Sequence, residues 1–320
     1  MESRRLTMYV HVRIKKLHGF IIYCKIRYSE ILLLLTEQRM RISRLVIALI
    51  IAALSGILSL TNTQLNPVTG EKQRVALSPE EEVSLGLQAA PQMAAQFGGL
   101  HPDPQVQAYI KQVGKKVVQA SGARQTPYEF DFHVLRDSET VNAFALPGGQ
   151  IFITAELLSR LENEAQLAGV LGHEVGHVLG RHAAERLAKA KLTQGLVGAA
   201  SVAGSSDLSG GQAAAMIANM VGQMVTMRFG RQDELESDML GVRFMAEAGY
   251  NPSSLIRVME ILAQSRGGNS SQPEFMNTHP DPGNRTQRIE QEITALYPNG
   301  IPKNLSLGDA EKFKHARAQL

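Results

Sequence analysis

His173-Glu174-Val175-Gly176-His177 sets two imidazoles and a carboxylate within five residues. On a helix, positions i and i+4 fall about 40° apart around the axis, so both rings project from one face. Two neutral ring nitrogens placed this way can hold Zn2+, and the ion brings the pKa of a nearby water down toward about 7. Glu174 stands beside the pair, where it can take that water's proton without ligating the metal. The proton then passes to the leaving amine of a peptide bond. This arrangement suits amide hydrolysis.

Catalytic zinc calls for a third protein ligand. A His six residues after His177 would supply one, but position 183 is Ala. His182 comes one residue early and about 140° round a continuing helix, which makes it a surface or supporting histidine. Glu234, in Arg231-Gln-Asp-Glu-Leu-Glu-Ser-Asp238, is the better candidate. Glu234 and Asp238 are again i and i+4, so one can bind zinc while the other hydrogen-bonds a ligating His. Asp233 and Glu236 point elsewhere on that helix.

The elements that must position these groups follow from caps and periodicity. Asn163 with Gln166 opens a long helix carrying Leu167, Val170, Leu171 and Val178 around the two histidines. Ser78-Pro79-Glu80-Glu81 opens another, running to about Phe97, and Asp103-Pro104 a third, with Val106, Ile110, Val113 and Val117 on one face. Three short strands are expected: the alternating stretch Phe130–Val134, Asn142–Leu146, and Ile151–Ile153. Thr154 caps a short helix. Gly195–Gly211 reads as flexible. Met216, Met220, Met224 and Met227 share one helical face, either packed core or a surface for lipid or unfolded protein. Asn251-Pro252 opens a helix to about Ser265, Gly267–Pro273 is a loop, and Gly283–Tyr297 is helical.

Composition narrows the class. Of 320 residues, 44% are apolar and 20% charged, which supports a folded core. The single cysteine, Cys24, excludes a thiolate zinc site, so His and carboxylates must hold any metal. The first 44 residues hold ten basic and three acidic side chains, leaving 23 against 27 for the rest. An acidic body without tryptophan offers no footprint for nucleic acid. Residues 40–60 combine a basic start with the uncharged Leu45–Leu60, the layout of a signal peptide or membrane anchor. Residues 1–39 read as an upstream extension or basic tail, 61–76 as a linker, 77–298 as the zinc peptidase domain and 299–320 as a C-terminal tail.

Asn142-Ala-Phe-Ala-Leu-Pro-Gly-Gly149, Leu171-Gly-His-Glu-Val-Gly-His177, Glu234-x-x-x-Asp238 and Thr278-His279-Pro280 through Arg285 follow one another in order. With them the chain resembles, over residues 75–298, the membrane-associated zinc endopeptidases that include HtpX and the CAAX prenyl protease. Their periplasmic BepA/LoiP type and mitochondrial inner-membrane stress protease branch resemble it most. The resemblance implies an α+β, mainly helical, zincin-like (gluzincin) domain whose small sheet has its edge strand along the active-site cleft. It implies His173, His177 and Glu234 as ligands of one Zn2+ per chain, Glu174 as general base and Asp238 as support. Asn142, Ala143 and Phe144 would form the edge strand to which an extended substrate adds. His279 and Arg285 match a pair that caps the zinc in a latent state or faces the scissile carbonyl. The expected activity is ATP-independent cleavage of unfolded or misassembled envelope proteins. The expected place is the bacterial cell envelope, in the periplasm or tethered to the inner membrane through the N-terminal segment. The alternative is a chaperone-like holdase with a latent protease site capped by His279.

Overall fold

A computed structural model describes residues 27, 38, 43, 45–57, 63–75, 77–190, 192–193, 228–265, 274–280 and 283–320. Gly195–Gly211, the methionine face Met216–Met227 and the loop Gly267–Pro273 lie outside these residues. The chain groups into two units, one of residues 1–58 with 192–209 and one of 59–191 with 210–320. In the first, residues 45–57 are helical. No described helix is long and apolar enough to cross a membrane.

The second unit carries the chemistry. Its first element corrects the linker reading of 61–76: Thr63–Leu65 (β1) and Lys72–Arg74 (β2) form an antiparallel hairpin. The strands are too short to show alternation, and Asn66-Pro67 with Thr69-Gly70 is the turn between them. Asn66 Oδ1 accepts from the amides of Val68 and Thr69, while its Nδ2 donates to the Leu179 carbonyl at 2.7 Å. Gln73 Nε2 donates to the Gly180 carbonyl. The hairpin thus caps the end of the helix that bears the two histidines. Asn66 is buried, so Asn66→Ala should cost about 1–3 kcal/mol by stranding partners away from water. Chemical denaturation would show this as a lower midpoint; an unchanged midpoint would remove the cap from the account.

The capping expectations hold. Ser78 and Glu81 exchange side-chain and backbone bonds at the start of α1 (Pro79–Gln96), and Asp103 caps α2 (Pro104–Gln119). The three expected strands form one sheet: β3 (Asp131–Leu135), β4 (Ala143–Ala145) and β5 (Gln150–Thr154). The order is β3-β5-β4, with β5 parallel to β3 and antiparallel to β4, so β4 is an outer strand. Thr154 caps α3 (Ala155–Arg160), and Asn163 caps α4 (Glu164–Leu179) by accepting from the Gln166 amide. Every residue of α4 is buried, as befits a central helix with apolar residues all round. Residues 182–190 are helical again after a turn at Gly180-Arg181.

Helix α5 (Arg231–Glu247) crosses α4 at unusually close range. A Cβ on Gly176 would stand 3.0 Å from Ser237 Cα, and one on Gly241 3.2 Å from the His173 nitrogen. The glycines let the two backbones meet, which brings Glu234 and Asp238 to the histidines. Beyond them lie α6 (Ser254–Gln264), α7 (Glu274–Thr278), α8 (Arg285–Leu296) and α9 (Ala310–Arg317). The last corrects the tail reading of 299–320. Asp309 caps α9, whose Phe313 and Ala316 are buried in the main core. The fold is mainly helical with small sheets, as expected.

Candidate metal centre

Helix α4 presents His173 and His177 to one point, their Nε2 atoms 3.0 Å apart. From α5, Glu234 comes within 3.6 Å of each Nε2. His279, just past α7, places Nδ1 3.4 Å from His173 Nε2 and 3.2 Å from Glu234 Oε1. These four side chains, all buried, offer donor atoms within 4.8 Å of one another. Zinc bonds of about 2.0–2.1 Å at tetrahedral angles set neighbouring donors roughly 3.3–3.4 Å apart, and the observed spacings bracket that value.

Hydrogen bonding says what the nitrogens carry. Asp238 Oδ1 lies 2.9 Å from His173 Nδ1, and Arg285 grips both oxygens of Asp238 at 2.7 Å. The Arg285 guanidinium holds the Asp238 carboxyl ionised, well below its usual range, against the burial that opposes it. An ionised carboxylate only accepts, so His173 Nδ1 carries the proton and Nε2 is a lone pair. Burial, reinforced by His173 and His279, pushes the His177 imidazole well below its usual pKa and keeps it neutral. Neutral nitrogens are what a metal ligand needs.

Glu174, Glu234 and Asp238 are three buried carboxylates against one buried guanidinium, Arg285, which also reaches Glu234 Oε2 at 3.1 Å. Burial resists charge on Glu234, but His279 and Arg285 outweigh it and hold its pKa low. Burial resists charge on His279 too, yet Glu234 and Glu174 draw its pKa upward. The donor set itself, two imidazoles and a carboxylate, is one that a divalent cation such as Zn2+ takes.

Glu174 differs from the other carboxylates. It is buried, its pKa is raised by that burial, and neither oxygen has a hydrogen-bond partner among the described residues. Its Oε1 lies 3.7 Å from His279 Nε2. A buried carboxylate without partners, beside converging lone pairs, is poised to receive a proton from a group bound there.

Strand β4 runs along the same cleft. Asn142, Phe144 and Ala145 line a small cavity with Phe97, Phe229 and His279. Asn142 and Leu146 bond back to β5 through the Thr154 and Gln150 backbones, so ladder alternation turns the backbone groups of Ala143 and Ala145 outward. Ala143 and Phe144 are buried as the protein stands. Phe229 stacks on His177 and Phe275 on His279, with centroids 4.0 and 4.3 Å apart.

The angular count that leaves His182 either on the surface or in a supporting place assumes that α4 runs on as one helix. The helix ends at Leu179, and Arg181 takes a left-handed φ of 55°, which swings His182 back so that it is buried with its Nδ1 2.9 Å from His177 Nδ1. Its alternative reading, a supporting histidine, is the one this geometry fits. Asp233 and Glu236 do point away from the donors, to Arg186 and His182.

Comparison with known proteins agrees with this geometry. Residues 104–293 match the model of peptidase family M48. The mitochondrial metalloendopeptidase OMA1 of Schizosaccharomyces pombe is 29% identical over 241 residues, which are 74% of this chain and 68% of that one. The beta-barrel assembly-enhancing protease of Yersinia pestis is 29% identical over 244 residues, and that of Escherichia coli 30% over 202. Those matches take in 73% and 61% of this chain but only 48% and 40% of the two proteases.

Proposed function

The chain belongs to peptidase family M48 and is a metalloendopeptidase, and on that premise we propose that it cleaves unfolded or misassembled envelope proteins through one Zn2+ held by His173, His177 and Glu234. The observation that carries this reading is the convergence of two imidazoles and a carboxylate beside Glu174, whose oxygens have no hydrogen-bond partner among the described residues. When bound, zinc would polarise the scissile carbonyl and render a water acidic near neutral pH. Glu174 accepts a proton from the attacking water as its oxygen bonds to the carbonyl carbon. It then returns the proton to the departing nitrogen as the C–N bond breaks. No nucleotide enters these steps, which supports independence from ATP.

Asp238 and Arg285 orient His173: Arg285 holds both oxygens of Asp238, reaches Glu234 Oε2 at 3.1 Å and stands 3.4 Å from His173 Nδ1. Substrate adds to the outward groups of Ala143 and Ala145 on β4 as a further strand, a sequence-tolerant mode suited to unfolded chains. The apolar Leu45–Leu60 behind its basic flank supports export to the periplasm, with or without a lasting tether to the inner membrane. The names of the relatives, one mitochondrial and two concerned with beta-barrel assembly, support a role in membrane-protein quality control.

Purified protein should digest casein and isolated envelope protein without ATP, lose that activity to a chelator, and regain it with zinc. Chelator-resistant cleavage would overturn the assignment. His279 favours a resting form, since its Nδ1 fills a corner that water must occupy. His279→Ala should therefore speed casein cleavage, roughly tenfold if about nine molecules in ten are capped. A fall of about 10²–10³ would instead make His279 an oxyanion donor.

A further inference from the structure

Outside the donor set, a chain of polar groups runs from the partly exposed Glu236 through the buried His182 to a proposed ligand. His182 Nε2 lies 3.1 Å from Glu236 Oε2, and His182 Nδ1 lies 2.9 Å from His177 Nδ1, with Ser237 Oγ at 3.3 Å. A carboxylate accepts, so Nε2 of His182 carries the proton and its Nδ1 is a lone pair. With His182 Nδ1 as the acceptor, the 2.9 Å contact is a hydrogen bond in which His177 Nδ1 donates. That leaves His177 Nε2 bare, facing His173 Nε2 and Glu234.

The local backbone is built around this contact. A Cβ on Gly180 would stand 2.5 Å from His182 Nε2, so the ring folds back only because residue 180 has no side chain. The left-handed Arg181 is held by Glu82, by Gln64 and by the Leu77 carbonyl. Glu82 in turn accepts from Tyr128 at 2.9 Å. Helix α1, the hairpin and the turn thus all act on where His182 sits.

We propose that His182, backed by Glu236, is a positioning residue that locks His177 in its Nδ1–H form and aims Nε2 at the metal position. The two imidazoles are then supported differently: His173 by a carboxylate clamped to Arg285, His177 by a second imidazole that Glu236 holds. This inference rests on His177 being a ligand.

Two measurements test it. Histidine nitrogen NMR on the metal-free wild type should show His177 as the Nδ1–H tautomer and His182 as Nε2–H, and His182→Ala should release the His177 preference. Zinc competition against a chromogenic chelator should show His182→Ala weakened about 10- to 100-fold. Glu236→Gln should stay near wild type, because its amide oxygen still accepts, whereas Glu236→Ala falls between and covers the case where His182→Ala does not fold. A metal-free His177 in the Nε2–H form, or wild-type zinc affinity in folded His182→Ala, overturns the proposal. A wild type that binds no zinc would sink the ligand assignment instead, and the NMR arm separates the two failures.

Discussion

Glu174→Gln should abolish cleavage of casein and envelope protein, with a loss of at least about 10²–10⁴-fold in kcat, the range carried by a positioned general base. Both oxygens of Glu174 are buried without hydrogen-bond partners among the described residues, so an amide of the same shape fits without breaking a bond seen there. Zinc content and thermal midpoint should therefore stay at wild-type values. What disappears is the group that accepts a proton. Burial raises the Glu174 pKa, which brings it nearer the operating pH and makes the carboxylate a better acceptor of the water's proton. The same variant separates the peptidase from a holdase capped by His279. A holdase would suppress aggregation of unfolded protein equally well before and after the change, with no cleavage in either form. Retained cleavage by a zinc-loaded Glu174→Gln protein would mean that some other group moves the proton.

The parts of the site most legible in the sequence were those governed by helical spacing. His173 and His177, and Glu234 and Asp238, are each i, i+4 pairs inside uninterrupted helices, so counting residues places them on one face. The approach of the two helices was not legible. It depends on Gly172, Gly176 and Gly241 meeting across the interface, and nothing local marks those glycines as partners. Angular counting could not decide between a surface and a supporting place for His182, because it assumes the helix continues. Gly180-Arg181 was the available signal, since a glycine at a helix end often announces a turn. The hairpin at 63–74 was hidden for the opposite reason. Three-residue strands carry almost no periodicity, and its pairing is secured by Asn66 and Gln73 reaching carbonyls more than a hundred residues away. Sheet order was likewise beyond local pattern, because β5 inserts between β3 and β4.

Asp238→Ala should be the most damaging change among residues that touch no substrate. Arg285 donates to both oxygens of Asp238, and side chains of both are at most 2% exposed. Removing the carboxylate leaves a buried guanidinium facing a cavity, at a cost of about 3–5 kcal/mol. Glu234 lies 3.1 Å from Arg285 Nη1 and would be drawn further toward it, away from the metal position. His173 would lose the acceptor that keeps its proton on Nδ1, which alone weakens metal binding about 10- to 100-fold. The two losses reinforce each other, since bound zinc is itself part of the folded state's stability. The expected outcome is a lower thermal midpoint in the metal-free protein and a further gap when zinc is added. Asp238→Asn separates the causes. Its amide oxygen still accepts from Arg285 or from His173 but not with the strength of a carboxylate, so stability should fall less than in Asp238→Ala while zinc affinity still drops. If Asp238→Ala kept both wild-type stability and wild-type zinc affinity, the clamp from α8 through Asp238 to His173 would have no role in holding the metal.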